Sequence, residues 1–273
     1  MLIRYGYEMT FTCNAPTPMI CQLDVHPSCV PAVRAETPFT ATPHVESWLY
    51  ADVFGNRCRR FNAPAGDLTI SNAGVVEVSG LPDPVVADAP EIPVADLPDD
   101  TLLYLVGSRY IETDKLSPIA WGLFGQTAPG WARVQAICDF VNSHIVFGYE
   151  NARATRTAYE AYDERIGVCR DFAHLAVAFC RCMNIPARYC NGYLGDIGVP
   201  PDPSPMDFNA WFDVFLGGKW LTFDARHNMP RIGRVLIARG RDAADIPLVN
   251  SFGPHLLKSF RVWTEETSAV TSV

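Results

Sequence analysis

Hydrophobic and polar residues alternate at the start of the chain: in MLIRYGYEMTF, Ile3, Tyr5, Tyr7, Met9 and Phe11 interleave with Arg4, Gly6, Glu8 and Thr10. A period of two predicts a half-buried strand, and the segment lacks the charged head and apolar run of an export signal. Strand signals continue to residue 80 without a long helical period. LTISNAGVVEVSG carries two β-rich runs broken by Asn72-Ala73-Gly74, which predicts a hairpin. Residues 1–80 are therefore expected to form an antiparallel β domain. Residues 81–100, LPDPVVADAPEIPVADLPDD, hold five prolines, six acids and no basic residue. Such a stretch resists helix and central strand alike and predicts an extended linker.

The period then changes. In WARVQAICDFVNSHIVFGY, Val134, Ile137, Cys138, Val141 and Ile145 form one apolar face, predicting an amphipathic helix that closes near Gly148. A second helix is predicted from about Cys169, with Phe172, Leu175, Ala176, Phe179, Cys180 and Met183 as its stripe and Asn184 and Pro186 as its stop. ARYCNGYLGDI reads as a strand. MDFNAWFDVFLGGKWLTFDARHN, residues 206–228, reads as two strands about the turn Gly217-Gly218. Helices first and hairpin-linked strands afterwards predict an α+β core with an antiparallel sheet over residues 101–273.

Composition narrows the function classes. A net charge of −8 with 48% hydrophobic residues suits a globular chain and gives no basic face for nucleic acid or anionic lipid. No apolar run approaches the roughly 18 residues that a membrane span needs. The nine cysteines are odd in number, which argues against a disulfide framework and for the cytoplasm. Cys13, Cys21 and Cys29 recur every eight residues but lack the close ligand pairs of structural zinc sites, so no metal is expected.

Cys169 alone has a placement with chemical meaning. In RIGVCRDFAHLAVAF it opens the second helix, where unpaired N–H groups and the helix dipole favour a thiolate and can face a developing oxyanion. The same pattern also describes a buried cysteine at a helix start.

The runs RTAYEAYDERIGVCRDFAHLAVAFCRCMNIPARYCNGYL, MDFNAWFDVFLGGKWLTFDARHN and RIGRVLIARGRDAADIP resemble the bacterial transglutaminase-like cysteine protease family of the papain-like superfamily. Residues 1 to about 95 resemble the β-rich domain that accompanies its core. The resemblance implies a papain/transglutaminase-like α+β fold, no cofactor, and a Cys–His–Asp triad acting on a peptide or amide substrate. The reaction would pass through an acyl-thioester to hydrolysis or acyl transfer. Carried over by position, Cys169 is the nucleophile and Asp224 the orienting acid, while the histidine position falls on Asn209.

A carboxamide has no proton-accepting state near neutral pH. Two readings follow: a thiol enzyme with an altered base, or an impaired relative that binds a peptide or acylated ligand in the same cleft. Trp211, on the same strand face as Asn209, would either wall the cleft for substrate or pack in the core. His227, just past Asp224, and His174, about 140° around the helix from Cys169, are the candidate substitute bases. His144 is expected to interact with its own helix terminus.

Overall fold

In the computed structural model, which describes residues 1–270, β1 (Leu2–Cys13) buries Ile3, Tyr5, Tyr7, Met9 and Phe11 as its alternation predicts. β2 (Thr17–Cys21), β3 (Val33–Thr42), β4 (Ser47–Ala51), β5 (Arg57–Ala63) and β6 (Gly66–Glu77) follow. β6 is one continuous strand and not the expected hairpin. Its turn-type residues serve packing instead. Asn72 donates from Nδ2 to the Thr37 carbonyl at 2.9 Å, and Gly74 leaves room for the Tyr5 ring, with which any side chain there would collide.

Residues 81–98 contain no α-helix and run over the core. The Gly217 N–H donates to the Pro90 carbonyl at 2.9 Å, Arg133 pairs with Glu91 at 2.8 Å, and Arg234 pairs with Asp83 at 2.9 Å. Then come α1 (Asp99–Leu102), α2 (Thr113–Phe124) and α3 (Trp131–His144). α3 stops four residues before Gly148 because Ile145 takes extended backbone and leads into β7 (Val146–Phe147). His144 stacks between Phe140 and Tyr162, each ring 4.8 Å away, with Nε2 at 2.7 Å from the Tyr162 carbonyl.

β7 pairs in parallel with β8 (Ile166–Gly167) across α4 (Ala158–Glu164). α5 (Cys169–Cys182) begins two residues later. It ends at Met183-Asn184, where Asn184 adopts the left-handed conformation with φ 63°. The remaining strands are β9 (Ala187–Tyr193), β10 (Asn209–Leu216), β11 (Lys219–Phe223), β12 (Val235–Gly240), β13 (Val249–Ser251) and β14 (His255–Thr267).

Three antiparallel four-stranded sheets result, ordered β14-β1-β6-β3, β13-β2-β5-β4 and β11-β10-β9-β12. The whole is an α+β fold with an N-terminal β region and a mixed core. Both chain ends build the β region. β14 pairs with β1 from Leu2–Thr267 to Cys13–His255, and β13 pairs with β2. The C-terminal limit of the core, expected at residue 273, thus lies before β13. Strand pairing over 250 residues leaves no local signal.

α5 carries the core. Leu175, Phe179 and Cys180 are fully buried among Leu116, Phe124, Ile137 and Val141 of the neighbouring helices and Phe212 and Val214 of β10. A second core joins β1 to the central sheet, with the Tyr5 and Tyr193 rings 5.1 Å apart. The sheet is therefore clamped between helices and β region, and the start of α5 is held by both.

Candidate active site

The backbone enters α5 through Gly167 and an extended Val168. The fully buried Asp171 reaches back: its Oδ2 accepts from the Val168 N–H at 2.9 Å and from Arg156 Nη1 at 3.0 Å. A Cβ on Gly167 would lie 2.7 Å from the Asp171 Cβ, so only glycine allows this closure. The carboxylate and Arg156 fix the helix start, and the first N–H groups of α5 have no intrahelical acceptors.

Cys169 is half-buried, its Sγ 4.0 Å from the Phe208 carbonyl oxygen. Burial, then the nearby Asp207 carboxylate, push its thiol up to about 11, against the opposing pull of Arg226 and the Ala210 N–H. The resting thiol is protonated at neutral pH, so the helix start does not deliver the thiolate expected from its dipole. The sulfur lines a cleft of about 640 Å³ with Tyr189, Phe208, Asn209, Ile246 and Leu248.

Asn209 opens β10 and shares that cleft, but its hydrogen bonds go elsewhere. Nδ2 donates to the carbonyls of Asp207 at 3.3 Å and Leu194 at 3.4 Å, and Oδ1 accepts from Arg226 Nη1 at 3.4 Å. Asp224 does not bond Asn209 either. Its Oδ1 accepts from the N–H groups of Arg226 at 3.1 Å and His227 at 3.0 Å. Its Oδ2 accepts from His227 Nδ1 at 2.9 Å and Arg234 Nη2 at 3.0 Å. Burial works to raise the Asp224 pKa, but Arg234 and His227 outweigh it and hold the carboxyl well below the usual range. The acid position thus orients an imidazole, but the one three residues further on.

Trp211 is buried, 3% exposed, and is not among the residues lining the Cys169 cleft. It packs on Gly192 and carries the Arg234 guanidinium over its ring at 4.9 Å, so it supports the partner of Asp224 from the core. His174 is fully buried. Its Nε2 accepts from the Ala243 N–H at 3.1 Å, it stacks on Tyr110, and burial keeps it neutral.

Arg226, with its guanidinium 3.9 Å over the Phe147 ring, was not singled out by the sequence, nor was Asp207. The signal for the Asp224 turn was present: in DARHN an aspartate precedes two N–H groups that its side chain can accept, an Asx turn. No group of three or more potential metal ligands occurs among the described residues, and the nine cysteines are free thiols. No described helix is long and apolar enough to cross a membrane.

Residues 122–225, from the end of α2 through Asp224, match the family model of the transglutaminase-like superfamily. Over these residues the chain is similar to that superfamily. A solved structure described as a "Putative Cysteine Protease" from Cytophaga hutchinsonii superposes with a TM-score of 0.83 at 29% identity, covering 98% of this chain and 92% of that one. Uncharacterized proteins of two mycobacteria are also similar. That of Mycobacterium leprae is 26% identical over 226 residues, 75% of each chain. That of Mycobacterium tuberculosis H37Rv is 28% identical over 218 residues, 72% of this chain and 68% of its own.

Proposed function

We propose that this protein is a transglutaminase-like thiol enzyme acting on an amide or isopeptide bond through an acyl-thioester at Cys169. The observation that carries the reading is the placement of the Cys169 sulfur at the unpartnered start of α5, on the wall of a large cleft. The description of the Cytophaga hutchinsonii protein points the same way. The sulfur adds to the substrate carbonyl, and the tetrahedral oxyanion lies against the first N–H groups of the helix. The C–N bond then breaks, the amine leaves with a proton, and water or a second amine resolves the thioester. Because the resting thiol is protonated, the step needs a group that takes its proton as the S–C bond forms.

A binding role is the second reading, favoured by Asn209, which cannot be that group. The two separate by intact-mass analysis after incubation with p-nitrophenyl acetate or carbobenzoxy-glutaminylglycine, with and without hydroxylamine. The enzyme reading expects an acyl adduct on Cys169, hydroxamate release, and loss of both in Cys169→Ala. No adduct at any pH between about 6 and 9 would leave the binding role.

A further inference from the structure

Asp224 stands where a triad acid is expected, yet the imidazole it holds is His227. We infer that His227 is the proton acceptor for Cys169, reached through the polar pocket beside Asn209, and that Arg226 is the residue that positions it. The inference rests on the reading of Cys169 as nucleophile and supplies the base which that reading lacks.

The hydrogen bonds select the tautomer. Nδ1 of His227 lies 2.9 Å from the Asp224 carboxylate and therefore carries the proton. Nε2 lies 3.3 Å from Arg226 Nη1, and a guanidinium only donates, so Nε2 presents its lone pair. This is the form a general base needs, its far nitrogen held by a buried carboxylate. His227 lines a small pocket of about 70 Å³ together with Arg226, Asn209, Asp202, Asp207 and Arg231. Asn209 and Asp207 also line the Cys169 cleft, so the two spaces meet at these residues.

Arg226 occupies the junction. One guanidinium nitrogen serves both Asn209 Oδ1 at 3.4 Å and His227 Nε2 at 3.3 Å, two long and weak bonds. Its other terminal nitrogen is 4.0 Å from Asp202. A small shift toward Asp202, pivoting over Phe147, frees Nε2 and the Asn209 carboxamide together.

The Cys169 proton then passes by way of a water held by Asn209 to Nε2 as the sulfur attacks. The resulting imidazolium, paired with Asp224, returns a proton to the leaving amine. Asp224, Asp202 and Asp207 favour that cation, and Arg226, Arg231 and Arg234 oppose it. A neutral group at residue 209 is compatible with this design, whereas a second imidazole there would face the Arg226 guanidinium.

The test is the pH profile of Cys169 alkylation by iodoacetamide, which requires no substrate recognition, with acylation by p-nitrophenyl acetate as the second readout. The wild-type profile should depart from that of a lone thiol. His227→Gln and His227→Asn each keep a donor for Asp224. Both should lose this departure and slow acylation by ~10²-fold or more. Arg226→Met should alter the profile without removing its dependence on His227, because the guanidinium bonded to Nε2 is removed.

Asn209→His should not raise either rate, since Asp224 is already engaged and the carboxamide that holds the relay water is lost. Unchanged profiles in both His227 variants, or a ~10²-fold gain in Asn209→His, would overturn the inference and return the base to position 209. If Cys169 acylates normally in both His227 variants, the thiol-enzyme reading stands and this inference falls. If Cys169 never acylates although its alkylation depends on His227, the coupling stands and the enzyme reading falls.

Discussion

At the scale of single residues, Asp224 is the group on which the site turns. It accepts four hydrogen bonds, two from backbone N–H groups and one each from His227 and Arg234, and its side chain is almost fully buried. Its lowered pKa means that the folded state binds fewer protons than the unfolded chain below the usual carboxylate value of ~3.9. The stability it contributes is therefore complete above about pH 4 and is lost as pH falls toward the depressed folded value. Asp171 and Asp207, raised chiefly by burial, act in the opposite sense and soften the loss. Urea denaturation between pH ~3 and 7 should show Asp224→Asn less stable at neutral pH by about 3–5 kcal/mol, the cost of breaking a buried pair. The gap should narrow as pH drops, and a constant gap would show that Asp224 is not the titrating group. The helix start at Cys169 and the strand end before Asp224 were legible in the sequence because each has a distinctive local pattern. Which imidazole Asp224 holds was not legible, because that depends on how the chain turns after β11.

At the scale of elements, the position of the Cys169 sulfur depends on how α5 begins. Gly167 lets Asp171 fold back onto the Val168 N–H, and Arg156 neutralises that carboxylate inside the protein. Gly167→Ala forces the Asp171 side chain away, breaking the clasp. An overpacked site of this kind costs about 1–3 kcal/mol. The melting temperature should fall, and Cys169 alkylation should change while the iodoacetamide reactivity of the denatured protein does not. An unaltered native rate would show that the clasp does not place the sulfur. α5 and the β10–β11 hairpin were readable because a long apolar stripe and a Gly-Gly turn coincide with their ends. α2 has Pro118 in its interior, which hides a helix from pattern reading. α4 is only seven residues long, although Thr157 and Glu160 form a reciprocal capping box at its start. β6 departs from the expected hairpin because Asn72 and Gly74, turn formers by habit, serve there a side-chain hydrogen bond and a close ring contact.

At the scale of the whole molecule, the decisive feature is the return of the C-terminus to the first strand. β1 lies between β14 and β6, and its buried face carries Tyr5, Tyr7, Met9 and Phe11. β14 also meets the site from outside, with the Phe260 ring 5.8 Å from Phe208, whose carbonyl faces Cys169. The alternation of β1 was legible, but pairing between the two ends depends on register and topology, which local periods do not encode. Truncation after residue 248 should therefore do more than trim an appendage. It removes β13 and β14, exposes the full edge of β1, and uncovers apolar surface between the β region and the central sheet. An open edge of this length is a template for aggregation. The truncated chain is expected to lose stability on the order of 5 kcal/mol or more, comparable to that of a whole small domain. Urea denaturation and hydrogen exchange would report this as a lost cooperative transition and as unprotected β1 amides. Protected β1 amides in the shortened chain, with Cys169 alkylated at the full-length rate, would mean that the β region folds without its last two strands.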